Sequence, residues 1–374
     1  LSPTRKRCCW GKVLLTYFQR TKNIALNMYR NIRRRDPTCR VQSFGCFRNC
    51  FLFIVAATVA VLLFSTLERC VNSFSFSAEQ KPFLEGRNQL TNSTLSAMAE
   101  KYEQKDVNNN LEILRSLAVE IQKNSEFEIK VEKVSHSLTI EEARSKPTIG
   151  ENDIVKKVHF IRHGEGTHNV AQRNWRNDPN WDGVSEPYTL DTDPKFKYQD
   201  ATLTEIGEKQ AKDLQQITEG LSPELLILSP MRRATQTGLL AFASHITAKK
   251  LPVIAHENAH ERGGKHTCDK RLDKSKLQSL YSMVSYDEFV TQEVDPFWGD
   301  GSTRESWKNL AERALSFALW LKDRPEEYMA MASHSAFLLT IFNAVFSSDS
   351  SETQTWFGTG EMRTVLVIYT KKEN

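Results

Sequence analysis

Five short strand-like runs in the second half of the chain constrain its fold more than any other feature. They are VKKVHFIR (155–162), LLIL (225–228), PVIA (252–255), YMAMA (328–332) and TVLVIY (364–369). Each has strand length, and several stop at residues that break a strand, such as Ser229-Pro230. Helical spacing fills the intervals. Leu203, Ile206, Ala211, Leu214 and Ile217 share one face, as do Leu310, Ala314, Phe317, Ala318 and Leu321, and 336–346 is apolar nearly all round. Buried strands alternating with helices predict an α/β fold, three-layer α/β/α with a mostly parallel sheet, over 151–374. Those 224 residues suffice for one domain with its own core.

The chain ahead of this domain differs in kind. Residues 1–49 form a basic region: the first 50 residues hold twelve Lys/Arg and one acid, Asp36. From Cys50 to Leu67 there are 18 residues without a charge, enough helix for roughly 27 Å, about one hydrocarbon core. Arg30, Arg33, Arg34, Arg35, Arg40 and Arg48 precede this run, so residues 50–67 are expected to be a signal-anchor helix with lipid bilayer as its partner. The chain is then a single-pass type II protein whose C-terminal domain is lumenal or extracellular. The acid-free first 35 residues also fit a transit peptide, which leaves a mitochondrial or plastid membrane as the alternative.

Residues 68–150 read as a polar stem. The sequon Asn92-Ser93-Thr94 fits an exposed segment. Val107, Leu111, Leu114, Ala118 and Ile121 make a short seam suited to one amphipathic helix, interrupted at Asn108-Asn109-Asn110. Oligomeric state is left open by so short a seam. The whole chain carries a formal charge of only +4, which argues against a nucleic-acid binder. Six of the seven cysteines lie in the first 70 residues, so Cys268 has no disulfide partner in its domain.

Ligands of such sheets bind beyond the carboxyl ends of the strands. The first run delivers Arg162 and His163 to that edge, the second Ser229 with Arg232 and Arg233 just beyond, the third Glu257 and Glu261, and the fourth His334. Arginine forks suit phosphate, a neutral imidazole is a competent nucleophile, and a carboxylic acid can protonate a leaving alkoxide. This combination points to phosphoryl transfer without metal or cofactor.

Arg162-His163-Gly164-Glu165 followed by Asn169 resembles the RHG signature of the histidine phosphatase superfamily, the phosphoglycerate mutase-like proteins. DATLTEIGEKQA (200–211), SPMRRATQT (229–237) and SHSAFL (333–338) resemble that family's later segments in the same order. ENAHERGGKHTCD (257–269) is similar to a stretch in the plant and fungal mutase-like phosphatases. The resemblance covers roughly 155–370. It implies that His163 takes the phosphoryl group, that Arg162, Arg233 and His334 surround the phosphate, and that Asn169 adds a contact. It places the proton donor at Glu261, with Glu257 as the alternative. It also implies a phosphorylated small-molecule substrate.

The expected activity is phosphate monoester hydrolysis by a membrane-anchored enzyme. A phosphoglycerate mutase and a non-catalytic phospho-ligand-binding adaptor are the alternatives. The second-histidine segment continues Ser335-Ala336-Phe337, which resembles the phosphatase branch. His256, His260, His266 and Cys268 have metal-ligand chemistry but no structural zinc spacing, so no metal site is expected. His159 and His168 are taken as structural. The polar, aromatic stretch 173–199 is expected to overhang the catalytic edge as a lid or specificity loop.

Overall fold

All five strand-like runs are strands. The structure is a computed structural model that describes residues 92–248 and 250–373. In chain order the elements are α1 (Asn92–Lys123), β1 (Phe127–Lys133), α2 (Ile140–Arg144), β2 (Ile154–Arg162), α3 (Thr167–Arg176), α4 (Glu205–Asp213), α5 (Gln215–Thr218), β3 (Leu225–Leu228), α6 (Arg232–Ala241) and α7 (Ala243–Ala248). There follow β4 (Val253–Ala255), α8 (Lys274–Leu280), α9 (Trp307–Asp323), β5 (Tyr328–Ser333), α10 (Ser335–Thr340) with a π-helical turn at Ile341–Val345, and β6 (Met362–Lys371). The basic region 1–49 and the apolar run 50–67 lie outside the described residues. Among the described residues, no helix is long and apolar enough to cross a membrane.

The six strands form one sheet in the order β1-β6-β2-β5-β3-β4. The pairs β2–β5, β5–β3 and β3–β4 are parallel, whereas β6 runs antiparallel to both β1 and β2. The sheet is thus mixed, with the expected parallel half carrying the reactive strand ends. Side chains alternate between its faces. Leu225 and Ile227 enter a core with Phe317, Phe337 and Phe342, while Leu226 and Leu228 enter a second core with Phe242, Leu277 and Tyr286. Helices therefore cover both faces, giving the three layers.

Part of the span read as stem belongs to this domain. FEIKVEK alternates strictly, burying Ile129 and Val131, and pairs with β6 from Phe127↔Lys371 to Lys133↔Val365. Its high charge content hides the strand in a polar stretch, because only one of its faces is buried. Helix α1 also docks on the domain. Leu114 and Ile121 are fully buried in the first core, and Leu111 and Leu117 pack beside them. The seam at 111, 114 and 121 thus faces the chain's own α9 and π turn. Asn108-Asn109-Asn110 does not interrupt the helix, which runs through it. Burying Leu114 and Ile121 is worth roughly 1.5–3 kcal/mol each, more than the propensity cost of three asparagines.

Candidate active site

Register places the two histidines side by side. β2 and β5 are parallel with Arg162 opposite Ser333, so His163 and His334 leave the sheet at the same edge. Their ring centroids are 5.2 Å apart, and both side chains are buried. Gly164 must be glycine here: a Cβ would sit 2.4 Å from the Gly207 carbonyl oxygen, and one on Gly207 would sit 2.1 Å from the Glu165 carbonyl oxygen. The signature loop and the start of α4 therefore meet backbone to backbone, which joins two of the sequence segments in one contact.

His163 Nδ1 lies 2.7 Å from the Gly164 carbonyl oxygen, to which it donates, and Nε2 accepts from Arg233 Nε at 3.3 Å. Burial, reinforced by the charges of Arg233 and Arg162, holds the imidazole well below its ordinary 6.5. The ring is therefore neutral near pH 7, with its lone pair on Nε2. His334 is likewise held well below 6.5 by burial and then by Arg233. Its Nε2 is 2.8 Å from Ser229 Oγ, while its buried Nδ1 has no hydrogen-bond partner. A buried polar atom without a partner costs free energy unless a ligand satisfies it.

Arg233, in the first turn of α6, is almost wholly buried. Its Nη1 donates to the Cys268 carbonyl oxygen and its Nη2 to Asp269 Oδ1, both at 2.8 Å. Asp269 Oδ2 accepts from Arg304 Nη1 at 2.8 Å. Burial works against the Asp269 charge, but Arg304, His266 and Arg233 outweigh it and keep the carboxyl well below its usual range. Arg162 Nη1 donates to the Phe357 carbonyl oxygen at 2.7 Å, and its guanidinium lies 5.5 Å from the Trp356 ring. The segment before the antiparallel β6 thus returns to this edge of the sheet and holds Arg162.

The two candidate acids have different surroundings. Glu257 makes a two-pronged pair with the buried Arg271, Oε1 to Nε at 2.9 Å and Oε2 to Nη2 at 2.8 Å. Glu261 lines the cavity and accepts from the Arg262 and Ala336 backbone amides at 2.9 and 3.1 Å. Asn169 also lines the cavity, and its Oδ1 accepts from Gly166 N at 2.9 Å at the start of α3. Arg162, Asn169, Arg233 and Glu261 thus open on one cavity of about 420 Å³, with His163 and His334 beneath. Glu165 is held by Arg173 and Thr204 in the signature loop.

Three of the residues here had no role in the sequence reading. His168 lines the cavity with its ring 5.5 Å from that of His163, and burial holds it well below 6.5. The sequence reading took it as structural, and the fold brings it to the wall of the cavity. Asp269 closes the family-like stretch 257–269 and was legible there as its last acid. Arg304 lies in a segment without periodicity or motif, and no signal marked it.

The insertion 173–199 does reach the cavity, through Arg176, Glu186 and Tyr188. It is pinned to the 257–269 loop. Thr267 N donates to Tyr188 O at 2.7 Å, Thr267 Oγ1 to Asp193 Oδ2 at 2.6 Å, and His266 Nε2 is 2.5 Å from Glu186 Oε2. It forms a fixed wall rather than an untethered flap.

Of the histidines weighed for zinc, His256 stacks on Phe289 and His260 pairs with Asp295 at 3.1 Å. His266, Cys268 and Asp269 do offer ligand atoms within 4.8 Å of one another. Their surroundings suit arginine instead. Burial pushes the Cys268 thiol well above its usual value, keeping it protonated, and two guanidinium groups already share Asp269.

Residues 196–373 match the model of the histidine phosphatase superfamily (branch 1). The chain is similar to the phosphoglycerate mutase-like protein 1 of Arabidopsis thaliana, with 30% identity over 219 residues, covering 51% of this chain and 72% of that protein. It is also similar to a further phosphoglycerate mutase-like protein of that plant, 27% identical over 211 residues, covering 49% and 72%. Among solved structures, the alpha-ribazole phosphatase of Shigella flexneri covers 56% of this chain and 89% of its own at 18% identity and a TM-score of 0.36.

Proposed function

The chain belongs to the histidine phosphatase superfamily, among its phosphoglycerate mutase-like members, and as such is a phosphoric monoester hydrolase; on that premise we propose that it works through a phosphohistidine at His163. The observation that carries the reading is the neutral His163 imidazole, its Nε2 facing Arg233 beside the unpartnered Nδ1 of His334.

The substrate phosphate would sit between Arg162, Arg233 and His334, with Asn169 at its rim. His163 Nε2 attacks phosphorus, a P–N bond forms, and the P–O bond to the ester breaks. Glu261 in its acid form gives its proton to the departing alkoxide. The guanidinium groups and His334 Nδ1 stabilise the charge on the transferring oxygens. Glu261, now a carboxylate, takes a proton from water as that water attacks the phosphohistidine. The P–N bond breaks and inorganic phosphate leaves. Glu257 cannot serve in this way without abandoning Arg271. Hydrolysis of p-nitrophenyl phosphate by the wild type and by His163→Ala tests the reading: equal rates would sink it. Formation of 2-phosphoglycerate from 3-phosphoglycerate faster than phosphate release would favour a mutase.

We also propose that residues 50–67 anchor the protein in a membrane, with the catalytic domain on the far side from the basic N-terminus. The uncharged 18-residue run and its arginine-rich leading flank support this. In sealed microsomes, the catalytic domain should resist added protease; digestion without detergent would refute the topology.

A further inference from the structure

The cavity is not closed by the catalytic elements alone. Asn109 and Asn110, on helix α1, line it together with the catalytic residues. This helix lies outside both the span that matches the superfamily and the run of catalytic segments. Its position is fixed by the core. Leu114, one turn beyond Asn110, is fully buried, Ile121 is buried two turns later, and Glu120 meets Lys308 of α9 at 2.6 Å. The two carboxamides are therefore held on a rigid element, as a specificity contact requires.

Trp307 and Trp356 line the same cavity, and each carries a guanidinium against its ring, Arg262 at 4.2 Å and Arg162 at 5.5 Å. The stacking fixes the indoles. A carboxamide offers two N–H donors and an acceptor oxygen, a set that matches hydroxyl groups, which both donate and accept. An indole face suits the C–H face of a carbon skeleton. The other charged groups of the lining are largely engaged with protein partners, Arg304 with Asp269, Arg262 with the Glu305 carbonyl oxygen and Glu186 with His266. With the phosphate end supplied by Arg162, Arg233 and His334, the remaining cavity therefore fits a hydroxyl-bearing group.

We propose that Asn109 and Asn110 are specificity-determining residues that hydrogen-bond the non-transferred part of the substrate, and that this part is a polyol. The inference rests on the phosphatase reading above. Helix α1 thereby completes the substrate pocket.

The test uses the full chain, wild type and an Asn109→Ala/Asn110→Ala double variant. Asn109 is exposed and Asn110 half-buried, so the fold should survive the change. kcat/KM is measured for p-nitrophenyl phosphate, n-butyl phosphate, glycerol phosphate, glucose 6-phosphate and inositol monophosphate. The wild type should prefer at least one polyol phosphate to n-butyl phosphate. In the double variant that preference should fall at least five-fold, mainly through KM. A wild type without the preference, or a variant that keeps it whole, overturns the inference. Failure of the wild type to hydrolyse even p-nitrophenyl phosphate overturns the phosphatase reading and the inference with it, so the two failures are distinguishable.

Discussion

Arg233 Nε lies 3.3 Å from His163 Nε2, while the other two nitrogens of the same guanidinium hold the Cys268 carbonyl oxygen and Asp269. One planar group thus orients His163, depresses its basicity and ties it to the 257–269 loop. Lysine carries the charge but not the fork, so it cannot meet all three partners. Arg233→Lys should lower kcat/KM for p-nitrophenyl phosphate by roughly 100-fold or more. A variant within three-fold of wild type would show that the fork geometry is unimportant.

The two glutamates should separate by leaving group. p-Nitrophenolate departs without a proton, whereas an alkoxide does not. Glu261→Gln should therefore cost about 10²–10⁴-fold in kcat on an alkyl phosphate and far less on p-nitrophenyl phosphate. Glu257→Gln breaks a buried two-pronged pair with Arg271 and should cost about 3–5 kcal/mol in urea denaturation. Its ratio of alkyl to nitrophenyl rates should stay at the wild-type value. The reverse pattern would move the acid to Glu257.

Activity should persist into mild acid. His163 is held well below 6.5, so on the proposed mechanism its imidazole stays neutral and able to attack as pH drops through 6.5. Protonation would remove the attacking lone pair, so the acid limb of kcat/KM should lie below pH 6.5. A limb centred at or above 6.5 would mean that burial and the arginines do not act on His163 as described.

Stability has its own pH signature, read best at His159. Burial, then Lys157 and His136, lowers His159 from 6.5 to about 3, and its ring bonds Thr364 and Tyr328 at 2.6 Å on either side. Because the folded value is depressed, this contribution is complete above pH 6.5 and is lost as pH falls from there towards 3. The slope is about 1.4 kcal/mol per pH unit, since the unfolded chain takes up the proton first. The stability difference between wild type and His159→Gln should shrink at up to that rate between pH 6.5 and 5. His260 acts with the opposite sign, because Asp295 outweighs burial and raises it, but it is common to both proteins. A difference independent of pH would refute the assignment.

The parallel half of the sheet was legible because its strands are buried on both faces, LLIL and YMAMA as continuous apolar runs and VKKVHFIR through Val155, Val158, Phe160 and Ile161, and because they stop at His163, Ser229 or His334. β1 was not, because an edge strand with one buried face dilutes Ile129 and Val131 among Glu128, Lys130 and Glu132. Helix α1 was legible as a helix but not as part of the domain, since its apolar stripe serves an external partner and an internal core equally well. In the site, His163, Arg162, Arg233, His334, Asn169 and Glu261 come to one cavity because each follows a strand or opens a helix at the same edge. Arg304, Asn109 and Asn110 reach it only through tertiary packing, which local spacing does not encode. Asp269 stood within a recognisable segment, but its task, aligning two guanidinium groups, appears only when Arg304 arrives from 35 residues away.

The central claim is a covalent bond between His163 Nε2 and phosphorus, and rapid acid-free quenching with a ³²P-labelled phosphate ester tests it most directly. During turnover, wild-type protein should carry label that survives base, is lost in acid and maps to the peptide containing His163, while His163→Ala carries none. Turnover without such label under rapid quench, or equal label on His163→Ala, would contradict it.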